Sequence, residues 1–204
     1  MQYGILSRNE AMKKLLISTD FSDKQIQNRR DKIIKLRNIH SKSQHGESQH
    51  DLVNLFFNPL NPTLSVSQRD YGHENLIIFC INFLSILNDD TLSIAFTDKN
   101  ASISEANLHV FNDIEDIDKL DLNLIYGEYM KDRSREDWKN WKQKRSAEFM
   151  VYPSISNKYI YKVITTSTET KSYLEGEINS QMLKLETFKD ILVDDRMNIY
   201  KPDN

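Results

Sequence analysis

Residues 147–152 read Ala147-Glu148-Phe149-Met150-Val151-Tyr152. In an extended chain, alternation puts Ala147, Phe149 and Val151 on one face and Glu148 and Met150 on the other. The run is short and apolar, and is read as a central strand. A carboxylate between apolar neighbours is costly there unless it is paired or faces a cleft. Glu148 is therefore the first candidate for chemistry. A solvent-facing glutamate at a strand end or edge is the equal alternative.

Working outward, Ser134 is an N-cap for a helix over 134–145, with Asp137 three residues on in the first turn. A turn at Pro153 leads to a second strand, 159–165, then a helix over 169–184 and a short strand within 190–200. Upstream, 91–97 reads as a strand that ends at Asp98-Lys99-Asn100. The apolar run 76–81 reads as a strand covered on both faces, followed by a short helix at 82–87. Residues 51–58 read as a strand that stops at Asn58-Pro59, with a second stop at Asn61-Pro62. The acidic stretch 113–121 is helical or looped. At the N-terminus Ser7 caps a helix over 8–18, with Glu10 completing a capping box. A second helix is expected after Ser22 or Asp23, running through IQNRRDKIIKL with Ile26, Ile33 and Leu36 on one stripe. Residues 41–50, SKSQHGESQH, contain no apolar side chain and read as a loop or mobile lid. This order fits an α+β fold with a mixed or largely antiparallel sheet, in one domain spanning 1–204, better than a regular βαβ wind.

Composition narrows the classes. Hydrophobic residues make up 39% and charged residues 28% of 204, as in soluble globular chains. No apolar run approaches the ~18 residues that a membrane-spanning helix needs. Met1-Gln2-Tyr3-Gly4 lacks the basic flank and apolar core of a secretory signal, which favours a cytoplasmic protein. The single cysteine, Cys80, excludes an internal disulfide or a multi-cysteine zinc site and reads as a buried, inert thiol. The five glycines form neither GxGxxG nor GxxxxGK, and there is no G-x-S-x-G. His40, His45 and His50 recur around Gly46 without a zinc-site spacing, so a polar loop is expected rather than a metal site. Net charge is −3 but unevenly spread: residues 1–50 carry ten basic side chains against five acidic, 98–128 carry two against eight, and 131–145 seven against three. The two basic stretches are either ordinary solvated faces or a surface for a nucleic-acid backbone. Arg29 and Arg30 offer planar forks suited to phosphate. Asp98-Lys99-Asn100 closes a strand as a ligand-facing loop or a plain turn. Trp138 and Trp141, three apart, read as the packing face of a helix.

Five segments in order carry a resemblance: GILSRNEA (4–11), IQNRR (26–30), VNLFFNPLNPTL (53–64), FTDKNAS (96–102) and KRSAEFMV (144–151). With these the chain resembles the DarT family, bacterial DNA ADP-ribosyltransferase toxins usually encoded beside a macrodomain antitoxin. The resemblance implies an ADP-ribosyltransferase-like split mixed sheet with surrounding helices, and transfer of ADP-ribose from NAD to a base in single-stranded DNA. It implies Glu148 and Arg30 as the catalytic pair, with Arg29, Asn100 and Ser7 at NAD. Asn58, Asn61, Arg69 and Lys144 are expected along the DNA path. It implies NAD as substrate, no metal, a macrodomain antitoxin as partner, a monomer, and no membrane. Because the similarity begins at Gly4, the family's opening strand, whose His and Thr contact NAD, is expected to be missing and NAD binding to be weak. Two other readings stay open: a non-catalytic nucleic-acid-binding relative, and an ADP-ribosyltransferase acting on RNA or protein.

Overall fold

The structure is a computed structural model that describes residues 4–14, 30–103, 108–127, 134–179 and 191–194. The strands are β1 (Ile5–Leu6), β2 (Ile33–Asn38), β3 (Gln44–Ser48), β4 (Val53–Phe56), β5 (Ile77–Ile81), β6 (Ser93–Thr97), β7 (Val110–Phe111), β8 (Glu148–Tyr152), β9 (Ser154–Ile155), β10 (Ile160–Thr165) and β11 (Ile191–Val193). The helices are α1 (Arg8–Lys13), α2 (Pro62–Tyr71), α3 (Phe83–Leu87), α4 (Leu122–Tyr126), α5 (Arg135–Arg145) and α6 (Thr168–Asn179). Two compact units divide the chain: Ile5–Asn58 with Asp89–Ile155, and Met1–Gly4 with Pro59–Asn88 and Ser156–Asn204.

The first unit is built on an antiparallel sheet in the order β3-β2-β6-β8-β4, with β7 pairing the far end of β6. β8 is central, as read from its sequence: it pairs β6 through Ala95↔Met150 and Phe96↔Phe149, and β4 through Phe56↔Glu148. Alternation sorts the two faces. Ile34, Leu36, Leu52, Ala95 and Met150 form one aliphatic cluster, with Tyr152 against it. On the other face Phe96 stacks on Phe149 and Phe111, and Phe57 meets Phe149 edge-on. A two-stranded ribbon, β1 with β9, completes the unit. Ser7 caps α1 by accepting the Glu10 amide, and Ser134 caps α5 by accepting the Asp137 amide, both as the sequence predicts.

In the second unit three strands run β11-β10-β5, with β10 antiparallel to β5 and parallel to β11. Asn61 and Asn82 cap α2 and α3, and α2 ends at Gly72, whose φ of 82° favours glycine.

Three sequence readings are corrected. The helix expected through IQNRRDKIIKL is a strand over Ile33–Asn38, while its residues 24–29 lie outside the described residues. Ile34, Leu36 and Asn38 point inward, and Ile33, placed on the helical stripe, is 69% exposed. The loop expected at 41–50 contains β3, an edge strand paired with β2 from Ile33↔Ser48 to Arg37↔Gln44. Its main chain does the pairing, so it needs no apolar side chains. Gly46 sits where a Cβ would come within 2.8 Å of the Ile33 side chain. The third is β5, which ends its sheet among the described strands and is not covered on both faces: Ile77 and Phe79 are more than a third exposed.

Candidate active site

Glu148 opens β8, one pleat beyond Met150 on the aliphatic face, and is wholly sealed from solvent. The solvent-facing alternative is thereby excluded. Its Oε1 accepts the main-chain N–H of Ala101 at 3.1 Å and lies 3.5 Å from Nη2 of Arg30. Its Oε2 is buried with no hydrogen-bond partner among the described residues. Burial pushes the Glu148 carboxyl above the ordinary carboxylate value, opposed by the Arg30 charge, the Ala101 amide and the Lys32 charge. A carboxylate so placed is an acceptor with one oxygen spoken for and one in reserve.

The Ala101 amide is aimed by the turn that follows β6. The Asn100 side-chain oxygen accepts the Ser102 amide, and the Asn100 amide donates to the Gln143 carbonyl on α5. Asn100, expected at NAD, shapes this turn through these two bonds. Arg30 stands just before β2, at the Lys32-to-Arg30 main-chain hydrogen bond, and not on a basic helix. Its Nε is also buried without a partner among the described residues.

Arg30 further lines a cavity of about 250 Å³, together with Leu6, Arg8, Gln49, His50 and Asn54. Among the described residues that line it, none is acidic. Gln49 is wholly buried in that wall. Asn54 gives its amide to the Leu52 carbonyl, which turns its oxygen to Nε2 of Gln49 at 3.5 Å. The Gln49 Oε1 is left buried without a partner among the described residues. His50 meets Asp31 at 3.1 Å. Chemically, the arrangement pairs a cation-stabilising carboxylate with a guanidinium that reaches both it and a cavity suited to an anionic, hydrogen-bonding ligand.

A family model described as ssDNA thymidine ADP-ribosyltransferase, DarT, matches residues 1–194. The chain belongs to the DarT family. Solved DarT structures share its fold. Thermus sp. 2.9 DarT in complex with ADP-ribosylated ssDNA matches with a TM-score of 0.74 at 19% identity, over 98% of this chain and 88% of that one. The same protein in complex with NAD+ gives 0.69 at 17% identity, over 98% and 89%. Thermosipho africanus DarTG in complex with ADP-ribose gives 0.70 at 22% identity, covering 95% of this chain but 46% of that one. No curated protein sequence matches the chain.

Of the residues that the DarT resemblance singled out, the structure brings together Glu148, Arg30 and the turn of Asn100. Arg29 lies outside the described residues. Ser7 is buried, its hydroxyl given to capping α1. Asn58 donates to the Ile125 carbonyl at 2.8 Å and so anchors α4. Lys144 pairs with Asp121 at 3.0 Å and holds that carboxyl below its ordinary value. Asn61 and Arg69 belong to the second unit, Asn61 capping α2 and Arg69 exposed beside Asp70 at 2.7 Å. Sequence reading missed Gln49 and the Ala101 amide. The FTDKNAS segment was the signal for the second; Gln49, one polar residue in a polar run, gave none.

Proposed function

We propose that this chain transfers ADP-ribose from NAD to a thymidine base of single-stranded DNA. The observation that carries the reading is Glu148: buried, charge-paired with Arg30, with one oxygen fixed by a main-chain amide and the other in reserve. The family match over residues 1–194 supplies the substrate class, and the solved relatives that share the fold are in complex with NAD+ and with ADP-ribosylated ssDNA.

The chemistry follows from charge. The bond between the ribose C1′ and the nicotinamide nitrogen breaks, and nicotinamide leaves neutral with the bonding electrons. The ribose is left oxocarbenium-like, and the Glu148 carboxylate offsets that charge and accepts from the ribose hydroxyl. A nitrogen of the base attacks C1′, and its proton passes to the carboxylate or to solvent. Arg30 holds the phosphates so that the ribose and base align. A paired base in a duplex hides its nitrogen, so a single strand is the cheaper substrate.

The finer context is inferred from the same reading. NAD and DNA are both available in the cytoplasm, and no helix of the described residues is long and apolar enough to cross a membrane. A chain that writes ADP-ribose onto DNA needs a counterpart that removes it, and the macrodomain antitoxin of the family is that partner. The test is transfer of label from NAD to single-stranded oligonucleotides with and without thymidine. Labelling that requires thymidine and disappears in Glu148→Ala supports the proposal; labelling that is indifferent to either overturns it.

A further inference from the structure

We propose that Thr97 is a positioning residue for the catalytic carboxylate, its one hydroxyl group tying the main chain of Glu148 to the turn whose Ala101 amide holds the Glu148 side chain. The proposal rests on the functional reading of Glu148 given above. The FTDKNAS segment has so far no assigned part beyond its turn.

Thr97 is the last residue of β6 and is completely buried. The β6–β8 ladder ends at Phe96↔Phe149. One residue further, the Thr97 Oγ1 accepts the Glu148 main-chain N–H at 3.1 Å. The same hydroxyl donates its proton to the Lys99 carbonyl at 2.6 Å, its other carbonyl neighbour, that of Glu148, being 3.4 Å away. Lys99 is two residues before Ala101, so this bond bends the chain back on itself at the start of the turn. The turn's other end is tied by the Asn100 amide to the Gln143 carbonyl. A serine or threonine at the end of a strand can replace a ladder hydrogen bond in this way, because its hydroxyl is acceptor and donor at once. Here it fixes both ends of one residue: the backbone of Glu148 directly, and its carboxylate through Lys99, Asn100 and Ala101.

Removing the hydroxyl while keeping the shape, as in T97V, leaves the Glu148 amide and the Lys99 carbonyl without their shared partner. The turn then loosens and the Ala101 N–H no longer meets Oε1 squarely. Displacement of a catalytic group by about 1 Å costs on the order of a hundredfold in rate. The amide also favours the ionised carboxylate. With it slackened, Glu148 keeps Arg30 and Lys32 as facing charges but protonates more readily.

The experiment compares wild type, T97V and T97S. In T97V, kcat for transfer to a thymidine oligonucleotide is expected to fall about a hundredfold with KM for NAD within threefold. The acid limb of the rate profile should move to higher pH, and T97S should restore both. If T97V melts too low to assay, the T97A and T97S pair makes the same contrast. In parallel, carboxyl carbon-13 NMR of labelled Glu148 follows its titration without substrate: the midpoint rises in T97V and returns in T97S. Unchanged kcat and midpoint in T97V, or equal losses in T97V and T97S, overturn the inference. Wild-type protein that transfers nothing to DNA, yet shows the T97V shift by NMR, would instead sink the functional reading and leave the positioning role standing.

Discussion

Replacing Glu148 by glutamine tests charge separately from shape. The glutamine oxygen can keep the Ala101 hydrogen bond, and its amide group takes the place of Oε2, which has no partner among the described residues. What disappears is one negative charge. In the transition state it stands against the positive charge developing on the ribose. Coulomb's law with an effective dielectric of ~20 gives about 4 kcal/mol for unit charges ~4 Å apart. That is about a thousandfold in rate, close to what removal of one preorganised electrostatic group costs elsewhere. Stability should move the other way. Burial raises the Glu148 carboxyl in the folded chain above its unfolded value, so the folded state holds the proton more tightly. The Glu148 contribution to stability is then greatest at low pH and is lost as pH rises through the folded value. Glutamine carries no such penalty. E148Q is expected to melt at or above wild type at pH 8, with the advantage shrinking towards pH 5, while transfer falls by 10²–10³-fold. Thermal melts across that range and labelled-oligonucleotide assays read both. A variant that melts well below wild type at pH 8, or that transfers within tenfold of it, would refute the reasoning.

Arg30→Ala should slow transfer and move its acid limb to higher pH, because the largest influence opposing protonation of Glu148 is gone. Arg30→Lys should recover only part of the rate, a point charge replacing a planar fork; rate–pH profiles check both. Gln49→Met should raise KM for NAD about tenfold, the value of one hydrogen bond of ~1.4 kcal/mol, while moving the melting temperature little, since it removes an oxygen that the described residues leave unpartnered together with the long 3.5 Å bond to Asn54. Steady-state kinetics that show no change in KM would exclude Gln49 from the NAD site. DNA affinity should favour single strands over duplex and fall as salt rises, since each phosphate contact releases a counterion; equal affinity for both forms at several salt concentrations would favour a protein target.

How far the sequence was legible depended on whether one periodicity dominated. Around Glu148 only one pattern fits, and the strand, its central place and its odd carboxylate could all be read. Ser7 and Ser134 were legible because a cap is a local hydrogen bond that depends on spacing alone. Residues 33–38 were not, because Ile26, Ile33 and Leu36 fit a helical stripe as well as Ile34 and Leu36 fit the inner face of a strand. Pairing with β6 and β3, far along the chain, decides between them. β3 was hidden for the opposite reason: an edge strand is held by main-chain bonds that leave no apolar mark. β5 misled because a continuous apolar run signals burial on both faces only where other layers cover both, and among the described residues Ile77 and Phe79 on one face stay more than a third exposed.

Hydrogen-bond satisfaction separates the sequence candidates in a way that residue type could not. Ser7 and Asn61 cap helices, and Asn58 and Lys144 anchor neighbouring segments of the same chain. Their polar groups are employed by the fold, and each would be favoured at its place whatever the protein did. Arg30, Gln49 and Glu148 differ: each keeps a buried polar atom that the described residues do not satisfy. Leaving such an atom unmade costs about 1–3 kcal/mol, a large share of the 5–15 kcal/mol that holds a domain of ordinary stability together. Arg30 stands against both Glu148 and the cavity wall that contains Gln49, so the three costs fall along one path through the first unit. A fold under selection for stability alone would remove them by substitution to apolar side chains of like shape. Arg37 Nε is unmet by the described residues in the same way, so such an atom alone marks no site; these three stand apart because they lie on one line from cavity to carboxylate, where the phosphates, hydroxyls and amide of a bound substrate would meet them.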